Sequence, residues 1–199
     1  MTERQPGIDF PVFSFAVTTG HGKPLHVSLS ADVLADMFRS VPDSPEMGWL
    51  FDLAARHPAM KVRGAVARYE NLSPKTVRLL AEDPCIQIRR QLVSSPAFKR
   101  YADTPTVLQL AASDPSVAEE LAEHLYDFTF CDVGRVEAEL GVHPDPSVRS
   151  FLANNGQASL RMLALLAHDL DPGVASFARR QMRARFENCG DRDETVAPF

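Results

Sequence analysis

The chain predicts a mainly α fold, an α-solenoid of about five helical repeats behind an N-terminal β-hairpin cap, and three observations predict it. A Leu-Ala or Leu-Gly pair recurs at Leu53, Leu80, Leu110, Leu140 and Leu166, at spacings of 27, 30, 30 and 26 residues. Each pair is followed by proline, then by a β-branched residue (Val62, Ile88, Val117, Val148, Val174), with an apolar residue four positions later. That spacing lays one apolar face along a helix. Before the repeats, Val12–Thr18 and Leu25–Leu29 alternate apolar and polar residues around Gly20-His21-Gly22-Lys23, the pattern of a hairpin.

The elements follow in order. Two strands alone are marginal in water, so the face bearing Phe13, Phe15 and Val27 is expected to pack on a helix at Ala31–Arg39 and on the first repeat. An exposed strand edge that recruits a peptide is the functional alternative. The lone Trp49, in a helix expected over Pro45–Ala55, is read as core beneath the cap. Each repeat reads as helix, turn, helix. The residue before proline leaves the α region, and Asp83, Asp114, Asp145 and Asp171 are placed to cap the next helix, with His57 taking that place in the first unit. Ser73 and Thr104 are candidate N-caps for the helices ending at Ala81 and Ala112, and Gly156-Gln157-Ala158 opens the corresponding helix of the fourth unit. No unit of this size buries both faces of its helices, so neighbours must stack. The third unit departs from the pattern at Ala118-Glu119 and inserts the aromatic stretch Tyr126–Cys131. A change of superhelix curvature or a docking feature both account for that insertion. Residues 1–43 thus form the hairpin and capping helix, 44–186 the repeat array, and 187–199 a polar tail expected to be disordered.

The stretch from His57-Pro58-Ala59-Met60-Lys61-Val62-Arg63 through Leu80-Ala81-Glu82-Asp83-Pro84, echoed by Asp145-Pro146-Ser147-Val148-Arg149, resembles the leucine-rich repeat variant family, related in style to HEAT repeats. The resemblance spans about Pro45 to Arg183 and implies a right-handed superhelix of short helices. Some members of that family carry an N-terminal cysteine cluster holding iron and sulfur. Here the first cysteine is Cys85, inside the second unit, so no cofactor is expected.

With 199 residues, 45% hydrophobic and 24% charged, the composition is that of a folded globular chain rather than a disordered one. No apolar run approaches the ~20 residues of a membrane helix. Acids and proline stand where a secretory signal carries basic residues, and the three cysteines are an odd number at wide spacing. A cytoplasmic protein with reduced thiols is the expectation, with Cys85 and Cys131 as small buried hydrophobes. Gly-rich phosphate loops, Gly-x-Ser-x-Gly, Cys-x-x-Cys and His-Glu-x-x-His are all absent, so neither a catalytic nor a metal residue is nominated. His57, His143 and His168 fall at inter-unit turns, where capping outweighs ligation. An enzyme with a pocket between hairpin and first unit stays open as a third class.

Charge is uneven. The net is -5, but residues 53–101 hold ten basic and three acidic side chains, and residues 102–146 hold ten acidic and one basic. Arg63, Arg89 and Arg149 recur at one repeat position and are read as a structural ladder with Asp83, Asp114 or neighbouring carbonyls. Lys61, Arg68, Lys75, Arg78, Arg89 and Arg90 are the candidate partner-binding residues. Arg179, Arg180, Arg183 and Arg185 form a second stripe, read as a solvated face. The functional expectation is a non-enzymatic protein-binding scaffold or adaptor that holds an acidic segment of a protein partner. The alternative is a HEAT-like nucleic-acid-binding protein, by fold analogy a DNA repair glycosylase.

Overall fold

The computed structural model describes residues 13–17 and 25–190. They are mainly helical. Ser14–Val17 (β1) and Leu25–Ser28 (β2) pair antiparallel, with Phe15 opposite Val27. The Gly20–Lys23 turn expected between them lies outside the described residues, as does the tail beyond Gly190. Phe13, just before β1, meets Phe38 edge-on with ring centroids 5.7 Å apart.

The chain divides into two compact units, Met1–Phe98 and Lys99–Phe199. In the first, Ala31–Ser40 (α1), Met60–Val66 (α3) and Ile86–Val93 (α5) pack in succession, while Gly48–Ala54 (α2) packs on α3 and Pro74–Ala81 (α4) on α5. Pro96–Tyr101 (α6) follows. In the second unit, Pro115–His124 (α8), Pro146–Asn154 (α10) and Pro172–Gly190 (α12) form one layer, and Thr104–Ala111 (α7), Val133–Gly141 (α9) and Leu160–Leu166 (α11) the other. The apolar register residues Val62, Ile88, Val117, Val148 and Val174 are all 2% exposed or less, so each unit encloses a core where its two helix rows meet.

Polar side chains start these short helices. Ser73, Asp103, Asp114, Asp132, Asp145 and Ser159 each accept a hydrogen bond from a backbone N–H of the following turn. Donors orphaned at a helix start are thereby satisfied. Asp103 rather than Thr104 caps α7, because proline at position 105 pulls Thr104 into the first turn. Ser159, not the Gly156–Ala158 stretch, caps α11. Asp83 accepts from Cys85 N–H, and α5 begins one residue later.

Three further expectations are corrected. Trp49 is 63% exposed, because Phe51, two residues on and about 200° round the helix, takes the buried face and stacks on Tyr69 at 4.3 Å. Helix α12 runs through Glu187 to Gly190, three residues past the expected start of the tail. Cys85 and Cys131 are only partly buried, at turns rather than in the core. Gly141 replaces the alanine of the Leu-Ala pair because a Cβ there would lie 2.5 Å from Met162 Sδ, which fills the space between α9 and α11.

Candidate binding groove

The two arginines of the repeat register that have a carboxylate within reach hold it in the same way. Arg63 donates from Nε to Asp83 Oδ2 at 2.6 Å and from Nη2 to Oδ1 at 3.1 Å, while Nη1 donates to the His57 and Pro58 carbonyls at 3.0 and 2.8 Å. Arg149 repeats every contact: Nε to Asp169 Oδ2 at 2.7 Å, Nη2 to Oδ1 at 2.9 Å, and Nη1 to the His143 and Pro144 carbonyls at 2.6 and 3.2 Å. A planar fork that closes a turn and grips an acid 20 residues ahead ties one repeat to the next. Hydrogen bonding to the carboxylate raises the pKa of both guanidinium groups and lowers that of Asp169.

At three of the turns the opening residue matches what precedes it. Asp83 and Asp169 stand one repeat after an arginine. His143 stands one repeat after Ala118, where no arginine asks for an acid. Histidine keeps the turn without the charge: His57 Nδ1 and His143 Nδ1 each accept a backbone N–H two residues on, at 3.1 Å, as Asp83 and Asp169 do with their carboxylates. Burial lowers the His57 pKa, which favours the neutral ring that this hydrogen bond requires. Arg89 donates from Nη1 to its own turn carbonyl, Asp83 O, at 2.6 Å, but the register places Ala112 where its acid would stand. Its buried Nε has no hydrogen-bond partner among the described residues. Asp114 serves instead as the cap of α8, accepting from Ser116 N–H at 2.9 Å.

The acidic block is largely spent on structure. Asp103, Asp114, Asp132 and Asp145 cap helices, and Asp127 pairs with Lys99 at 2.8 Å. Glu137 accepts from Ser159 N–H and Oγ at 2.7 and 2.8 Å and from the Tyr126 hydroxyl, pinning the inserted aromatic stretch to the start of α11. Burial, then the bond to Glu137, pushes the Tyr126 phenol pKa up.

The basic candidates do not form one surface. Lys61, in the first turn of α3, and Arg68, just past its end, line a groove of about 150 Å³ whose other walls are Arg39 at the end of α1 and Gln87 and Gln91 on α5. Gly64 and Ala65 form part of its lining between them. Lys75 and Arg78 are exposed on α4, in the other helix row, Arg90 is exposed on α5 outside the groove, and Arg89 is held by its turn. Arg78 and Arg90 each have further partners. Within the groove Lys61 pairs with Asp32 at 2.5 Å and Arg39 with Asp36, both pairs well exposed. Arg68 makes no ion pair or hydrogen bond among the described residues. Sequence reasoning missed Arg39 because it lies before the repeats; its signal was a cation closing a helix that occupies the same row as α3 and α5.

An apolar cavity of about 200 Å³ lies in the first unit, lined by Phe13, Ser14, Leu34, Phe38 and Leu50 among others. Among the described residues its lining carries no titratable side chain. Among the described residues no group of three or more His, Cys, Asp or Glu is placed to hold a metal ion, and no helix is long and apolar enough to cross a membrane. No family model matches the chain, and neither does any curated protein or solved structure.

Proposed function

We propose that this chain is a non-enzymatic, cytoplasmic scaffold or adaptor, a solenoid of the leucine-rich repeat variant kind capped by its strand pair, which binds an acidic segment of a partner protein in the groove between α3 and α5. The observation that carries the binding reading is the convergence of Arg39, Lys61 and Arg68 on one groove, with Arg68 lacking a partner among the described residues. The successive packing of α1, α3 and α5, the two helix rows of the second unit, and the recurrence of the Arg63–Asp83 geometry at Arg149–Asp169 support the solenoid.

Lys61 and Arg39 are neutralised by exposed aspartates, but exposed pairs are worth at most about 1 kcal/mol and exchange readily for an incoming carboxylate. The two groove glutamines add amide donors that suit a peptide main chain. Binding of this kind is steered by charge and weakens as salt rises.

The test is fluorescence anisotropy of a labelled oligoglutamate peptide against the full chain and a Lys61→Glu/Arg68→Glu variant. Reversing two charges is expected to weaken binding about tenfold or more at low salt. Equal binding by both proteins would sink the reading. So would binding of a DNA or RNA oligonucleotide that depends on these two residues and falls log-linearly with salt, while the peptide does not bind.

A further inference from the structure

One position in the groove lining carries no side chain. Gly64 sits in the middle of α3, a place where glycine is disfavoured relative to alanine because it must surrender more backbone freedom. Packing does not demand it. A Cβ built on Gly64 would meet only Gln91 Oε1 at 3.5 Å and Ile88 Cγ1 at 3.7 Å, ordinary contact distances, and the backbone conformation is one any residue adopts. Contrast Gly141, where the added carbon would collide with Met162 at 2.5 Å. The equivalent register positions of the other units are Arg90, Glu119, Ser150 and Ser176, so all of them carry a side chain. At Gly64 the groove lining between α3 and α5 lacks a side chain, one turn from both Lys61 and Arg68.

A residue that costs helix stability without relieving a clash marks a position kept for another purpose. We infer that Gly64 is a binding residue: the space left by its absent side chain seats the main chain of a bound acidic peptide segment, with a carboxylate of that segment on Arg68 and its amides against Gln87 and Gln91. This inference rests on the groove reading above and adds the point of closest approach.

The experiment pairs thermal unfolding with oligoglutamate anisotropy for the full-length protein, Gly64→Ala and Arg68→Glu. Gly64→Ala is expected to raise the melting temperature by about 1–3 °C, since alanine fits the site and restricts the unfolded chain. The same methyl group should weaken peptide binding about tenfold by overfilling the contact. A larger plug, Gly64→Leu, should weaken it further. If the wild-type chain binds the peptide through Arg68 but Gly64→Ala binds equally well, the inference fails and the groove reading stands. If Gly64→Ala lowers the melting temperature, the glycine is a packing requirement and the inference also fails. If neither the wild-type protein nor Gly64→Ala binds the peptide above Arg68→Glu, the groove reading itself is lost, and this inference with it.

Discussion

Replacing Arg149 by alanine removes the fork that joins α10 to the turn before α12. The Arg149 and Asp169 side chains are only 15% and 9% exposed, so solvent screens their attraction weakly. Without Arg149, Asp169 keeps the Asp171 N–H as its donor and becomes a largely buried, unpaired charge. Breaking one side of such a pair costs about 3 kcal/mol, which for a chain of this size lowers the melting temperature by roughly 6–10 °C. Asp169→Ala should cost a similar amount, because it strands the guanidinium and undoes the turn. The double variant should cost much less than the sum, with a coupling of about 2 kcal/mol in a double-mutant cycle read by urea unfolding and circular dichroism. The pH dependence carries its own sign. Hydrogen bonding to Arg149 lowers the folded pKa of Asp169 below its unfolded value of about 3.9, so the pair's contribution is complete above that value and is lost as pH falls through the lower, folded one. Arg149→Ala should flatten this acid limb. If Arg149→Ala costs the same with and without Asp169, the two side chains are neighbours and not partners, and the account of how repeats are joined is wrong.

Two further outcomes are expected. Gly141→Ala should cost no more than about 1 kcal/mol, because the new Cβ has only to displace the flexible end of Met162, and should cost less in a Met162→Ala background; equal costs in both would refute the close-approach argument. Tyr126→Phe should cost about 1 kcal/mol and remove the highest-pH step from the tyrosine absorbance titration. Burial and Glu137 raise the folded pKa of this phenol, so its contribution is present below about pH 10 and is lost as pH rises through the folded value. Loss of absorbance change near pH 10 in the variant, in place of the highest step, would show that Tyr126 ionises normally.

The helices and their order are legible because proline, cap residues and apolar spacing act locally. Asp114, Asp145 and Ser73 cap where the sequence places them, since a cap needs only its own next turn. Trp49 misleads because two aromatic positions on one short helix compete for a single buried face, and only tertiary packing against Tyr69 decides for Phe51. Arg63 and Asp83 stand out in the sequence as ladder candidates, but Asp169 does not: it precedes the more visible Asp171-Pro172 step, and only the repeated 20-residue interval separates a carboxylate that pairs from one that caps. The groove is half legible. Lys61 and Arg68 lie about one turn either side of Gly64 in a single stretch of chain, whereas Arg39 reaches them only through the packing of α1 on α3. A missing side chain at Gly64 leaves no positive mark among chemically active residues.

Where an arginine grips the acid that opens the next turn, that acid also constrains which repeat can follow. Tandem duplication of residues 143–168 would bring a second copy of His143 to the place Asp169 now holds, leaving Arg149 without its anion and setting a titratable ring against a fixed cation. Splicing an arginine-bearing segment ahead of one that begins with aspartate would instead keep the two-pronged link, so these two joints are keyed rather than interchangeable.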